Sequence, residues 1–344
     1  MIWREGRPAL RKTKTFDREQ AAKAWAAKRE KELAKPGAIE REKVADPKLA
    51  DVIDRYTTES EKAIGKTKAQ VLRAIKGMPI ADMRCSEVQS PDLVRFAQAL
   101  DVKPQTRANY MSHLGAVFAI ARPMWGFLLD QQAMKDAFVV CNRMGITGKS
   151  KARDRRPTLG ELDMIMEHYG DRQHRRPGMA PMQKLVAFAL FSTRRQEEIV
   201  RIEWADLDEE GKRVLVRDMK NPGEKIGNNV WCDLPAEALA IIKSMPRVGK
   251  FIFPYSAGAI SASFTRATDF LDIADLTFHD LRHEGISRLF EIGTSIPRAA
   301  SVSGHRSWQS LKRYTHIRQT GDKYERWKWL ATVTEKRPKL QVVA

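Results

Sequence analysis

The segment HDLRH, residues 279–283, places His279 and Arg282 on one face of a predicted helix. A histidine beside an arginine suits an anionic oxygen. The guanidinium brings a fixed positive charge and a fork of donors, and the imidazole can add a hydrogen bond or move a proton. His283 stands four residues after His279 and raises zinc as an alternative, but the HExxH pattern needs a glutamate where Asp280 stands, and no third ligand is suggested nearby. Downstream, SGHRSWQSLKRYTHI, residues 303–317, breaks a short helix at Gly304-His305. It carries Tyr314 on the next one, for which Ser307 is a candidate N-cap. Upstream, FSTRRQEEIVRIEWADLD, residues 191–208, sets Arg195, Glu198, Ile199 and Ile202 at helical spacing. Taken singly, these are ordinary features: a surface ion pair, a turn histidine, a packed tyrosine.

Positioning these side chains takes a mixed scaffold. From Thr158 onward the pattern is α/β. Thr158 and Glu161 form a capping box that opens the helix LGELDMIMEHY, and a second helix runs through 183–191. RVLVRDM (213–219) and NVWCDL (229–234) read as strands, and the Asn-Pro-Gly content of KNPGEKIGN between them predicts a hairpin. Further helices are predicted over 236–243, 261–271, 279–292, 297–302 and 308–315. Residues 47–148 instead show helical periodicity, with predicted helices over 49–62, 68–77, 92–100, 105–121 and 131–142, an all-α bundle. Residues 1–46 read as a small module: β-prone stretches around Trp3 and 10–16, then a helix N-capped by Asp17 with Gln20 as its partner, closed by Pro36-Gly37. KSKARDRRP, residues 149–157, is a basic linker, either solvated or lying across a phosphate backbone.

The chain has 344 residues and a formal net charge of +18, from 61 Lys plus Arg against 43 Asp plus Glu. An apolar content of 42% is enough to build real cores. No apolar run approaches the ~18 residues that span a bilayer, and no apolar stretch follows the charged MIWREGRPALRK. A cytoplasmic, nucleoid-associated protein is expected. Cys85, Cys141 and Cys232 lie far apart with no CxxC, so neither a zinc ribbon nor a disulfide framework is supported. All three segments carry net positive charge, which points to a polyanion touched along the whole chain, and so to nucleic acid.

The combination is more specific than its parts. In chain order come an Arg in RxxEI, a Lys at a hairpin edge, HxxR, GH, and a Tyr nine residues after that His. This order resembles the tyrosine recombinases, the phage integrase family, over about residues 1–330 and most strongly over 191–317. EIVRIEWADLD resembles the family's first arginine box; HDLRHEGIS with SGHRSWQSLKRYTHI resembles the second. The resemblance implies a multidomain chain. It would have a small N-terminal module over 1–46 of arm-type DNA-binding character, an all-α, SAM-like core-binding domain over 47–148, the linker 149–157, a mixed α+β catalytic domain over 158–330 and a tail over 331–344. The two larger domains would close as a C-shaped clamp on duplex DNA.

Position by position, the resemblance implies a catalytic set of Arg195, Lys220, His279, Arg282, His305 and Tyr314, with Tyr314 the nucleophile. Lys225 is the alternative to Lys220. No metal and no cofactor are implied. The two guanidiniums would clamp the non-bridging phosphate oxygens, the histidines would assist, and a cationic pocket would favour the phenolate of Tyr314. The lysine would protonate the departing 5′ oxygen. Glu198 would hold Arg195 or satisfy a backbone group. The implied partners are double-stranded DNA at attachment-type sites, three further copies of the chain in a tetramer on synapsed DNA, and accessory DNA-bending or directionality proteins. Two departures stand out: Ser192-Thr193 replaces the family's frequent Thr-Gly, and the N-terminal module is shorter than a three-stranded arm-binding one. Trp327, Trp329 and Leu330 either pack on their own domain or dock on a neighbouring subunit, and the resemblance tips the choice toward docking. The alternatives to recombination are type IB topoisomerase-like relaxation, against which the helical domain and the GH…Y spacing argue, and a non-catalytic DNA-binding relative, whose signature would be a missing catalytic residue.

Overall fold

The structure is a computed structural model, which describes residues 2–4, 7–10, 14–35, 45–150, 153–176, 178–219 and 227–336. The chain divides into two compact units, Met1–Ala152 and Arg153–Ala344.

In the first unit, β1 (Ile2–Arg4) pairs antiparallel with β2 (Arg7–Leu10) and α1 (Glu19–Leu33) follows. Arg18, not Asp17, occupies the N-cap of α1, and no side chain caps it. Asp17 stands one residue too early for its carboxylate to meet the first turn. Then come α2 (Leu49–Glu59), α3 (Lys66–Lys76), α4 (Ser90–Ala99), α5 (Pro104–Trp125) and α6 (Gln131–Arg143). Their apolar residues recur every three or four positions. Leu49, Val52 and Ile53 thereby meet Leu72 and Ile75 of α3 and Met111, Leu114 and Phe118 of α5 in one core. Local chemistry sets the ends. Pro104 opens α5, where a missing N–H costs nothing, and Gly126 closes it at φ 71°.

The second unit starts α7 (Leu159–Arg175) at the expected capping box: the Glu161 N–H donates to Thr158 Oγ1 at 3.1 Å, and the Thr158 N–H to Glu161 Oε2 at 2.8 Å. At its centre lies α8 (Met182–Ser192), buried at every position; its polar Gln183, Lys184 and Ser192 donate to the Met166, Ser244 and Phe188 carbonyls. After α9 (Gln196–Ile199) come β3 (Leu207–Asp208), β4 (Arg213–Val216) and β5 (Val230–Asp233), an antiparallel sheet in that order with Val214 opposite Cys232. Next are α10 (Ala236–Lys243), α11 (Ala257–Phe270), α12 (Asp280–Glu291), α13 (Ile296–Ser303) and α14 (Leu330–Thr334). α12 crosses α8 at Gly285, where a Cβ would overlap the Leu190 carbonyl oxygen.

Three expectations change. The helix predicted over 308–315 is two short 3-10 turns, Trp308–Ser310 and Lys312–Tyr314, and Ser307 makes no cap. The buried pair Leu311 and Tyr314, three residues apart, shares one face at the 3-10 period. The arginines of the linker are anchored within this unit. Arg153 grips Asp280 through Nε at 2.6 Å and Nη2 at 2.8 Å, Arg155 pairs with Glu161, and Arg156 reaches Glu284 at 2.7 Å and Glu291 at 2.8 Å. The buried carboxylates of Asp280 and Glu284, which need cationic partners, explain this better than a solvated run. The segment after Lys323 packs on its own unit. Tyr324 and Val333 are fully buried, and the indole N–H groups of Trp327 and Trp329 both donate to Asp163 at 2.9 Å.

Candidate active site

The site begins where α8 ends. Thr193 turns the chain in the left-handed region, φ 57° and ψ 20°, the position at which the family often has glycine. A β-branched residue there costs about 1–2 kcal/mol, offset by burial of its methyl group. The two arginines that follow part ways. Arg194 is 1% exposed and turns inward, donating to the Ser192 carbonyl at 3.1 Å, to Cys232 Sγ at 2.9 Å and to the Val302 carbonyl. It thus ties α8 to β5 and to the end of α13. Arg195 caps α9 and stays partly open to solvent. Glu198 serves it twice, accepting from its backbone N–H at 3.0 Å and from Nη1 at 2.7 Å. Burial pushes the Glu198 carboxyl up, but Arg194, Arg282 and Arg195 together outweigh burial and hold it below the usual carboxylate range.

α12 supplies the second arginine. His279 is its N-cap and is exposed. Arg282, 3% exposed, donates to the Thr193 carbonyl, to the Ser303 carbonyl at 3.1 Å and toward His305 Nε2 at 3.3 Å. Burial, then Arg195 and Arg194, pull the Arg282 guanidinium down to about 9, which leaves it charged at neutral pH. Three guanidiniums therefore surround one buried carboxylate, an arrangement that favours an anion.

Gly304 ends α13 at φ 71°. A Cβ here would lie 2.6 Å from Met219 Cε and 3.2 Å from Arg194 Nη1, so glycine is required by conformation and by space. The turn delivers His305. Its Nδ1 meets Ser303 Oγ at 2.7 Å, and the Ser303 hydroxyl itself donates to the Ala299 carbonyl at 2.6 Å. The serine oxygen must then accept, so Nδ1 carries the ring proton and Nε2 faces Arg282. Burial, followed by Arg282, Arg195 and Arg194, takes His305 down to about 3, a neutral imidazole.

Tyr314 is 6% exposed, packed with Ile286, Leu289, Ala299, Val302 and Leu311, and stacked on Phe290 at 6.1 Å and 11°. Its hydroxyl lies 2.6 Å from Nδ1 of His283. Burial raises the phenol above its usual value despite Arg313 and Arg282. The expected phenolate is thus not favoured in this arrangement, because desolvation outweighs the nearby cations. The sequence reading weighed His283 only as a possible zinc partner of His279. Among the described residues no group of three His, Cys, Asp or Glu is arranged to hold an ion. Lys220 and Lys225 lie outside the described residues. So the structure brings Arg195, Arg282 and His305 together, sets His279 at the mouth of the same helix and Tyr314 on the adjoining turn, and adds Arg194 and His283. Arg194 is indistinguishable from Arg195 by composition, and only the spacing to Glu198-Ile199 separates the two.

A mostly helical unit with a small antiparallel sheet, carrying an Arg-Glu turn, a His-x-x-Arg helix and a Gly-His turn ahead of a buried tyrosine, defines a tyrosine recombinase catalytic domain. Residues 160–320 match the phage integrase family, and this part of the chain is a domain of that family. It is 27% identical over 313 residues to the shufflon-specific DNA recombinase of Escherichia coli, covering 86% of this chain and 74% of that protein. Among solved structures, the Tn1549 transposon integrase in complex with a circular intermediate DNA superposes with a TM-score of 0.61 at 14% identity, covering 78% of this chain and 94% of that one. A lambda integrase dimer bound to a COC′ core site gives 0.60 at 20% identity, covering 79% and 96%. These likenesses establish the fold.

Proposed function

We propose that the chain is a site-specific DNA recombinase that cuts and rejoins duplex DNA through a covalent 3′-phosphotyrosyl intermediate, integrating or excising a mobile element. The observation that carries this reading is the cluster of Arg195 and Arg282 around a single buried carboxylate, beside the neutral His305, with the Tyr314 hydroxyl on the next turn. A phosphodiester would take the place that the excess positive charge favours. Arg195 and Arg282 would hold its non-bridging oxygens and stabilise the charge that develops on attack. His305 is already oriented by Ser303 and, on taking up a proton at Nε2 beside the bound phosphate, would donate to the same oxygens, with His279 at the helix mouth.

Tyr314 attacks phosphorus, the bond to the 5′ oxygen breaks, and that oxygen takes a proton from a general acid. Lys220 is the candidate acid, with Lys225 as the alternative. Met219 packs against Gly304, and Lys220 follows it directly in the chain. Resealing reverses the steps with a 5′ hydroxyl from another strand, so it needs no nucleotide. Exchange between two duplexes takes four active tyrosines, hence a tetramer on synapsed attachment-type sites, assisted by accessory DNA-bending or directionality proteins. The relatives' names and the DNA in the two integrase complexes support duplex DNA as the partner. In this reading 47–148 is the core-binding domain and 1–46 an arm-type module.

The test begins with a library of nicked duplexes from which the protein selects its site by covalent retention. Two duplexes carrying the selected site are then mixed. Recombinant products that vanish in Tyr314→Phe are expected. Supercoil relaxation with no exchange of strands would instead support the topoisomerase-like reading.

A further inference from the structure

We propose that His283 is a catalytic residue: its Nδ1 accepts the phenolic proton of Tyr314 as the tyrosine attacks, and returns it on resealing. This rests on Tyr314 being the nucleophile.

The geometry carries the inference. Nδ1 of His283 is 2.6 Å from the Tyr314 oxygen, within the reach expected of a general base. The phenol is the more strongly protonated partner, since burial raises it, while burial, His279 and Arg313 pull the imidazole down to about 4. The phenol therefore donates, Nδ1 accepts, and the ring proton sits on Nε2. Helical geometry explains how one element serves both partners. Successive residues on α12 point about 100° apart, so Arg282 faces Ser303 and His305 while its neighbour His283 faces the turn that carries Tyr314. The stacking of Tyr314 on Phe290, about two turns further along the same face of α12, fixes the ring so that its oxygen meets the imidazole.

The proton balance closes. The Tyr314 O–H bond breaks and its proton goes to Nδ1, giving an imidazolium. The Tyr314 oxygen forms a bond to phosphorus, the bond from phosphorus to the 5′ oxygen breaks, and that oxygen is protonated by the separate acid. On resealing, the incoming 5′ hydroxyl loses its proton to that group and the Tyr314 oxygen recovers its own from His283. A phosphate held by Arg195 and Arg282 adds negative charge beside the imidazole and raises its basicity at the moment it is needed.

The experiment uses the full chain and a nicked duplex that the wild-type protein cleaves. His283→Asn keeps an acceptor near the position of Nδ1 but cannot hold a proton; His283→Gln is the companion, and DNA binding with circular dichroism verifies folding. Single-turnover cleavage by His283→Asn is expected to fall about 10²-fold with DNA binding unchanged. Replacing Tyr314 by 2,3-difluorotyrosine, a more acidic phenol, is expected to recover much of that loss. A substrate with a 5′-bridging phosphorothiolate, whose sulfur leaves without a proton, is expected to recover none. Cleavage by both variants within twofold of wild type, or faster, would overturn the proposal and mark the hydrogen bond as a restraint. Recovery by the phosphorothiolate but not by the fluorinated tyrosine would overturn it too. A wild-type protein that forms no adduct refutes the parent reading, a separate result.

Discussion

Gly285→Ala sets local propensity against packing. In a helix interior alanine is favoured over glycine by about 1 kcal/mol, so propensity alone calls for a more stable protein. The structure calls for the reverse. A Cβ at Gly285 overlaps the Leu190 carbonyl oxygen and lies 3.0 Å from the Leu190 carbonyl carbon and from Thr193 Cγ2. Leu190 is 1% exposed and Thr193 0%, so neither has solvent to move into. Ordinary carbon contact begins near ~3.4 Å, and restoring it means parting α8 and α12 by on the order of 1 Å. Overpacking a tight core costs about 1–3 kcal/mol and occasionally more. With backbone as the obstacle the upper end applies, and after the propensity gain the net loss is about 2 kcal/mol. For a unit of this size that lowers Tm by roughly 4–8 °C. Arg282 lies on the same helix and donates to the Thr193 carbonyl, so DNA cleavage should fall even well below the new Tm. Thermal unfolding by circular dichroism, with cleavage measured at 25 °C, gives both readouts. A variant with equal or higher Tm and wild-type cleavage would refute the close crossing and its link to the site.

Other substitutions probe other parts of the second unit. Arg194→Met removes the donor shared by the Ser192 and Val302 carbonyls and a cation near buried Glu198; a loss of about 3–5 kcal/mol is expected in urea unfolding, and Arg194→Lys should not restore it. Truncation after Lys323 removes Tyr324, Trp327 and Val333 from the core. Buried aromatics are worth about 3–5 kcal/mol each, against the ~5–15 kcal/mol of a whole domain. The second unit should therefore fail to fold as a monomer, and normal folding with weakened self-association alone would restore docking in trans. His305 and His283 are held at about 3 and about 4 in the folded chain, below their ordinary 6.5, so the unfolded chain binds protons first. Stability is full above pH ~6.5 and falls as pH drops toward 4, before most carboxylates titrate. The urea midpoint should be lower at pH 5.0 than at pH 7.5, and equal midpoints would contradict the buried neutral histidines.

What the sequence made legible follows from short-range physics. Helical periodicity placed α2 to α6, and the Thr158/Glu161 box placed the start of α7, because both are local. The motif order singled out Arg195, Arg282, His305 and Tyr314, and the structure places the first three together around Glu198 with Tyr314 on the adjoining turn. What stayed hidden is long-range. Glu284 reads as an ordinary helical acid in HDLRHEG, yet it is fully buried and joined to Arg156, Lys323 and Tyr324, residues up to 128 positions away. The linker 149–157 could be read as solvated or as crossing a phosphate backbone because the carboxylates that hold Arg153 and Arg156 are just as distant. The phenolate expectation for Tyr314 counted charges and missed desolvation, a property of packing. His283 escaped because its partner is 31 residues downstream on a turn whose 3-10 geometry the sequence did not announce.

The most direct measurement is the identity of the covalent bond. The full chain is incubated with nicked duplexes, quenched in detergent, and the retained protein–DNA adduct is digested and sequenced by tandem mass spectrometry. The expected product is a single nucleotide remnant joined through its 3′ phosphate to Tyr314, and no adduct in Tyr314→Phe. An adduct on any other residue, a link through a 5′ phosphate, or full retention in Tyr314→Phe would contradict the recombinase mechanism built on this site.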